Sequence, residues 1–520
     1  MQKYGLIFTV ILLVFAAWGS RTGAQTPARP NIVLILADDM GYSDLSCMGS
    51  EIPTPNLDGL ARNGVLFTRF YNTSRCCPSR ASLLTGLYQT RAGVGHMNTT
   101  QLDVAEYQGY LSRNAVTIAE ALNESGYATI MAGKWHVGDE PAQWPTRRGF
   151  DKFYGIPVGG GLYFYPSEFI NRPVYYNENQ VVPDTGWYST DAFTDYAIRF
   201  MEETIREEKP FFLYQAYIAP HWPLQAKGED IEKFKGKYNN GYDTIRQQRF
   251  KRQKELGIVS ENTRLTPAGY SAWADIENKE REARKMEVYA AQVVCLDRNI
   301  GRLIQSLKDL GVYDNTVIIF LSDNGACAEE VNRSGNTQIG GAESFVSYGE
   351  NWANVSNTPY RLYKSFVHEG GILTPMIVSW PAGIPRTGIV TNEPAHINDV
   401  MPTCLELAGA VYPAAYNGNK TAPLDGNSFW PLVYGEKQSP DRTFYFQHQG
   451  NLAVRSGNWK LVKQHNRNWE LYNLENDPVE MQDRSETDSL KRNQLIGQYQ
   501  KWSEEYGVLP WPLQQKKRIK

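Results

Sequence analysis

The chain of 520 residues is poor in several features that mark common functions. It has six cysteines (Cys47, Cys76, Cys77, Cys295, Cys327 and Cys404) and no Cys-x-x-Cys pair, so nothing points to a thiolate zinc site. Six cysteines in so long a chain fall far below the density of a disulfide scaffold, although they allow up to three bridges. Charge of one sign is also missing. The 53 Lys and Arg against 56 Asp and Glu leave −3, which gives no global field for nucleic acid or an acidic membrane surface. That balance leaves room for a local cationic pocket. Apart from the first residues, no apolar run is long enough to span a bilayer. Internal repeats and low-complexity tracts are absent.

What is present begins with an export signal. Lys3 supplies the positive start, Leu6 to Ala17 are almost wholly apolar, and Thr22-Gly23-Ala24 offers a small-residue cleavage site. A signal peptide is therefore expected over 1–24. The mature chain is expected to be secreted or periplasmic, and no cysteine near the cleavage site suits a bacterial lipid anchor.

Asn31 to Leu36 form a continuous apolar run that ends in Asp38-Asp39, and Thr316 to Leu321 form another that ends in Asp323-Asn324. Short apolar runs bounded by turns suit strands buried on both faces of a parallel sheet. Between them lies a helical pattern from Glu287 to Leu310, with Val294, Ile300, Leu303, Ile304 and Leu307 on one face. The expected fold is α/β, a large mostly parallel sheet flanked by helices. Carboxylates at strand ends stand where such sheets place their sites. Residues 225–285 are charged and read as surface helices and loops. Beyond about residue 435, short candidate strands at 443–448, 452–455, 459–463 and 469–471 predict a smaller C-terminal antiparallel sheet, covered by a helix near 490–505. The expected division is a catalytic unit over 30–435 and a C-terminal unit over 436–515.

The sharpest local signal is Cys76-Cys77-Pro78-Ser79-Arg80, continued by Leu84-Thr85-Gly86. An activated thiolate would suit cationic neighbours. The phosphatase-type thiolate loop, however, needs arginine six positions after its cysteine, where this chain has Ser82. The segment resembles instead the Cys-x-Pro-Ser-Arg and Leu-Thr-Gly motif of the type I sulfatases of the alkaline-phosphatase superfamily, with Cys76 in first place. Cys77 does not fit first place, because Pro78 would then come one position early. The chain departs modestly from the pattern, with Leu87 where many members have arginine. The resemblance covers nearly the whole mature chain. It implies an alkaline-phosphatase-like fold, sulfuric-ester hydrolysis, and oxidation of Cys76 by a maturation enzyme to formylglycine, whose hydrate is the nucleophile.

Sulfate-ester cleavage needs a strong oxygen nucleophile, neutralisation of sulfate oxygens and protonation of the leaving alcohol. Asp38, Asp39, Asp323 and Asn324 form an oxygen-only set suited to calcium or magnesium, which matured Cys76 would complete. The resemblance favours one calcium ion. It also implies Lys134 on the sulfate and His136 beside the diol, in Gly133-Lys134-Trp135-His136. His221, in Pro220-His221-Trp222-Pro223, would protonate the departing oxygen, Lys364 would be a further sulfate-binding cation, and Arg80 would hold the nucleophile and metal ligands in place.

The leaving group is less legible. Tyr163, Tyr165, Trp135, Trp187, Trp222, His96 and His368 are candidate walls for a sugar or aryl ring, beside core packing as the more frequent use of such residues. Residues 328–359 and Gly159-Gly160-Gly161 suggest loops at the mouth. A sulfated carbohydrate is the expected substrate, with no nucleic acid or membrane partner. A phosphate or phosphonate monoester hydrolase of the same superfamily, and a non-catalytic sulfoglycan-binding protein, remain open alternatives here.

Overall fold

The computed structural model describes residues 29–269 and 271–513, so the expected signal peptide and the last two residues of the expected C-terminal unit lie outside it. No helix among the described residues is long and apolar enough to cross a membrane.

The first strand, β1 (Asn31–Asp38), is buried at every position. Side chains alternate across a strand. Ile32, Leu34 and Leu36 accordingly join one core while Val33 and Ile35 join another. A strand apolar on both faces needs a layer on each side. Helices Ser189–Ile205 and Lys279–Asp309 cover the Val33 side through Phe193, Phe200, Ile300, Leu303 and Leu307. Helices Cys76–Thr85, Ile118–Glu124 and Val400–Ala408 cover the other through Leu83, Leu84, Leu122 and Leu405.

The remaining strands of this sheet are β2 (Val65–Tyr71), β3 (Ala128–Lys134), β4 (Lys152–Ile156), β5 (Val174–Tyr176), β6 (Asn179–Val181), β7 (Phe211–Pro220), β8 (Thr316–Ser322), β9 (Leu373–Ser379), β10 (Ile389–Thr391) and β11 (Ala395–His396). Their order is β10-β2-β9-β8-β1-β7-β3-β4-β5-β6, with β11 also on β2. The centre, β8-β1-β7-β3-β4, is parallel as expected. β9 runs antiparallel to both β8 and β2, and β5 and β6 form an antiparallel edge, so the sheet is mixed. A short hairpin, β12 (Ala415–Tyr416) and β13 (Asn419–Lys420), stands apart.

The C-terminal sheet is β14 (Thr443–His448), β15 (Asn451–Ser456), β16 (Trp459–Lys463) and β17 (Trp469–Asn473), all antiparallel neighbours. One face sends Phe444, Phe446, Ala453 and Val462 into the large core. Its other face, through Val454, Leu461 and Leu471, packs under the helix Ser489–Glu505 through Leu495, Tyr499 and Trp502.

All six cysteines are free thiols, so none of the bridges that their number allows is formed. Two expectations need correction. The long helix begins at Lys279, eight residues before the apolar stripe makes it visible, because its first turns are charged. The helix Gly241–Glu255 is not purely a surface element. It buries Arg246, Arg249 and Gln253, and Arg249 pairs with Asp44 and Glu51 at 2.7 Å each. A buried face that mixes Tyr242 and Ile245 with Arg246, Arg249 and Gln253 leaves little apolar periodicity to read.

Candidate active site

Four adjacent parallel strands end along one edge, and each delivers polar chemistry there. β1 ends in Asp38 and is followed by Asp39, β8 is followed by Asp323 and Asn324, β7 by His221, and β3 ends in Lys134 ahead of His136. β2 leads to Cys76 at the first position of its helix, and the segment entering β9 carries Lys364. The carboxyl ends of parallel strands are where open α/β sheets hold ligands.

Two of these residues adopt left-handed backbone, Asp39 and His136, both at φ 64°. Such conformations cost about 1–3 kcal/mol each and persist only where the surroundings impose them. Here the Asp39 amide donates to Asp323 Oδ1 at 3.2 Å and the His136 amide to the Pro157 carbonyl at 2.9 Å. Gly133 is needed beside them. A Cβ there would lie 1.8 Å from the Ala216 carbonyl oxygen, so no other residue lets β3 approach β7 so closely.

The charges interlock. Arg80, fully buried, donates to Asp323 Oδ2 through Nε (3.2 Å) and Nη2 (3.1 Å) and to the Lys134 carbonyl (2.8 Å). Lys134 Nζ lies 2.5 Å from Asp38 Oδ2, Lys364 Nζ 2.8 Å from Asp39 Oδ2, and His221 Nε2 3.3 Å from the same Asp39 oxygen. Asn324 Nδ2 donates to Asp39 Oδ1 at 2.6 Å. Burial pushes the Asp38 carboxyl up, but Lys134, His221 and Arg80 outweigh it and hold the group below its usual range. Asp323 goes the other way, driven up by burial and by Asp38 beside it. Burial and Lys134 bring the His136 imidazole down to about 4, so it is neutral near pH 7.

Cation binding can be tested on these atoms. Asp38 Oδ1 and Asn324 Oδ1 are buried and lack a hydrogen-bond partner. Unsatisfied buried oxygens are costly. Three carboxylates and an amide within one buried pocket are a hard donor set of the kind that calcium or magnesium takes. The residues fit a divalent cation.

The two vicinal cysteines part company. Cys76 lines a cleft of about 380 Å³, whereas Cys77 is fully buried and its thiol faces Asn98 Oδ1 at 3.5 Å. A hydrogen bond from the Cys77 thiol, followed by the charges of Lys134 and Lys364, outweighs burial and lowers the Cys76 pKa. Thus Asp38, Asp39, Cys76, Arg80, Lys134, His136, His221, Asp323, Asn324 and Lys364 all meet at one place.

The candidate wall residues mostly do not. Trp222 lines the cleft, with its indole N–H on Glu329 at 3.0 Å. Trp135 and Tyr163 are fully buried, donating to the Gln143 and His221 carbonyls. His96 stacks on His448, His368 bonds Glu470, and Trp187 bonds the Tyr154 hydroxyl and packs edge-on to Tyr165. Five lining residues carry no sequence signature as a group: Arg75, Asn98, Asp139, Arg172 and Glu329. Only Arg75, adjoining the Cys76 motif, had a local cue. The 328–359 segment does reach the mouth through Glu329, and it also forms the helix Gly349–Ser356.

Comparison with known proteins places this edge in context. The Sulfatase family model matches residues 30–410, and the model for the C-terminal part of N-sulphoglucosamine sulphohydrolase matches 360–501. An arylsulfatase of Klebsiella aerogenes is 38% identical over 79% of this chain and 92% of its own length. An uncharacterized sulfatase of Schizosaccharomyces pombe is 35% identical over 93% of this chain and 95% of its own. Among solved structures, that of Ps i-CgsB in complex with k-i-k-neocarrahexaose aligns with TM-score 0.70 and 31% identity over 92% of this chain and 93% of that one. The chain belongs to the sulfatase family and is a sulfuric ester hydrolase.

Proposed function

We propose that the enzyme releases inorganic sulfate from an O-sulfated carbohydrate, with Cys76 matured to formylglycine and one calcium ion held by Asp38, Asp39, Asp323, Asn324 and the matured residue. The observation that carries this reading is the floor of the cleft, where Cys76 adjoins two buried cations, Lys134 and Lys364, and two partnerless ligand oxygens. When present, the formylglycine hydrate supplies an oxygen nucleophile and the ion lowers its pKa. Lys134 and Lys364 neutralise charge on the sulfate oxygens. The Nδ1 of His221 faces the Trp222 carbonyl at 2.5 Å, and because a carbonyl only accepts, Nδ1 keeps its hydrogen. The transferable proton is therefore on Nε2, which delivers it to the departing alcohol oxygen. His136, neutral at pH 7, accepts a proton from the nucleophile. Arg80 locks Asp323 and the end of β3 in place.

A carbohydrate leaving group is favoured by Trp222, Asn98 and Asp139 in the cleft, an aromatic face beside hydrogen-bonding groups. The saccharide in the complex of the related Ps i-CgsB points the same way. Cys76 is 2% exposed, so its maturation enzyme acts before the segment Cys76–Arg80 folds into its helix. Export by the 1–24 segment to the periplasm or beyond fits this substrate class.

Mass spectrometry of the tryptic peptide Cys76–Arg80, with sulfate release measured on sulfated sugars, an aryl sulfate and matched phosphate esters, tests the reading. An aldehyde at residue 76 with preferential sulfate release is expected. Two intact thiols in active protein would overturn it. Calcium removal by a chelator should abolish turnover and lower the melting temperature, both restored by calcium but not by zinc. A site held at 100 times its Kd adds about 2.7 kcal/mol.

A further inference from the structure

Most cations in the cleft are already neutralised. Arg75 pairs with Glu329 at 2.7 Å, and Lys364 pairs with Asp39 at 2.8 Å. Arg172 is the exception. It lines the same cleft, half-buried, and both of its hydrogen bonds go to backbone carbonyls, those of Gly159 and Asn171. Its nearest acidic neighbour in the cleft, Asp139, forms no ion pair with it and is instead bonded by Asn98 Nδ2 at 2.6 Å. Burial lowers the Arg172 pKa, Asp139 offsets this in part, and Arg333 adds to the lowering by like charge. Arg333 itself is exposed, carries no ion pair, and lies over the Phe345 ring at 5.0 Å. Phe345 in turn meets Trp222 edge-on, with centroids 5.8 Å apart. Arg172 thus lines the cleft with no carboxylate in its hydrogen bonds and feels the like charge of Arg333.

The position of Arg172 is built, not incidental. A Cβ on Gly159 would lie 1.9 Å from His136 Nε2, so that residue has to be glycine for the loop to lie against the imidazole. A Cβ on Gly160, at φ 95°, would lie 3.3 Å from Nε and Nη2 of Arg172. The glycine pair therefore leaves room for the Arg172 guanidinium beside the loop that touches His136. Guanidinium groups bind sulfate and carboxylate in a bidentate way and are weakly hydrated, so a half-buried fork with no ion-paired carboxylate is suited to recognise an anion.

We propose that Arg172, with Arg333 at the rim, forms a second anion subsite that takes a further sulfate or carboxylate on the saccharide whose sulfate ester is cleaved. The substrate class is then doubly anionic sugars. This rests on the sulfatase reading above and narrows it.

The test compares matured full-length enzyme with Arg172→Ala and Arg333→Ala on four substrates: an aryl sulfate, monosulfated sugars, disulfated sugars, and sulfated sugars bearing a uronic carboxylate. Wild type should prefer one or both doubly anionic sets, and which one identifies the second group. In R172A the kcat/KM ratio of doubly anionic to aryl substrate should fall about 10- to 100-fold, chiefly through KM, the scale of lost charge-assisted hydrogen bonds. R333A, on an exposed side chain that cannot disturb folding, should lower the same ratio a few-fold and flatten its salt dependence. Equal losses on every substrate, or a wild type that prefers monosulfated sugars, would overturn the subsite. No sulfate release from any ester by matured wild type would instead sink the sulfatase reading itself.

Discussion

The floor of the cleft and its wall are built on different principles. The floor takes its groups from the ends of neighbouring parallel strands, and nearly every charge there is paired with another within about the length of a hydrogen bond. Arg80, Lys134, Asp38 and Asp323 are all fully buried, so each depends on the others to be tolerated. The wall takes single residues from separate loops, Asn98, Asp139, Arg172, Trp222 and Glu329, and leaves Arg172 bonded only to backbone carbonyls. Rigid, mutually compensated groups suit one fixed piece of chemistry. Loop residues with spare valence suit a leaving group that differs from one enzyme to another.

That contrast can be broken at the floor first. Cys76→Ala should lower turnover by roughly 10⁵- to 10⁶-fold, the scale of losing a nucleophile. Cys77→Ala, which vacates core volume beside Asn98 and removes the thiol next to residue 76 but not the nucleophile, should keep most activity in a sulfate-release assay. A comparable collapse in both would place the nucleophile wrongly. Arg80→Ala leaves Asp323 without its buried partner and should cost about 3–5 kcal/mol in denaturant unfolding, with activity lost alongside. A stable R80A protein would mean that the floor is less interdependent than its distances indicate.

Moving outward, His221→Ala should slow sugar sulfates by about 10²- to 10⁴-fold and activated phenyl sulfates far less, because only poor leaving groups need the proton. Equal losses across a leaving-group series would remove His221 from the acid role. Trp222→Ala should have the smallest effect, raising KM for sugar sulfates about tenfold while kcat on an aryl sulfate changes by a few-fold at most. A large kcat loss would show that the indole serves the floor by packing against the His221 ring, with centroids 4.8 Å apart.

The same division explains what the sequence revealed. The floor was legible because strand-end position, an apolar run and a polar pair are all local. Asp38-Asp39 follows one such run and Asp323-Asn324 another, while Cys76 to Arg80 form a compact motif. The antiparallel direction of β9 was not legible, since its run looks like that of any buried strand and direction depends on the path taken between strands. The wall was illegible for a further reason. Asn98, Asp139, Arg172 and Glu329 are single residues brought together only by tertiary folding, and no spacing joins them. Aromatics were misleading there, because Trp135 and Tyr163 are large enough to be useful in the core and are spent on it.

One strand connects these observations to the behaviour of the whole molecule. β1 gives alternate side chains to two separate cores and ends at Asp38. Neither layer can loosen without stripping one face of that strand, so melting of the large unit should be a single event, with secondary and aromatic signals lost together. A displacement at Asp38, whether from a bound ligand or from a mutation, bears on a strand that both layers pack against. Chemistry and cooperativity share the same eight residues.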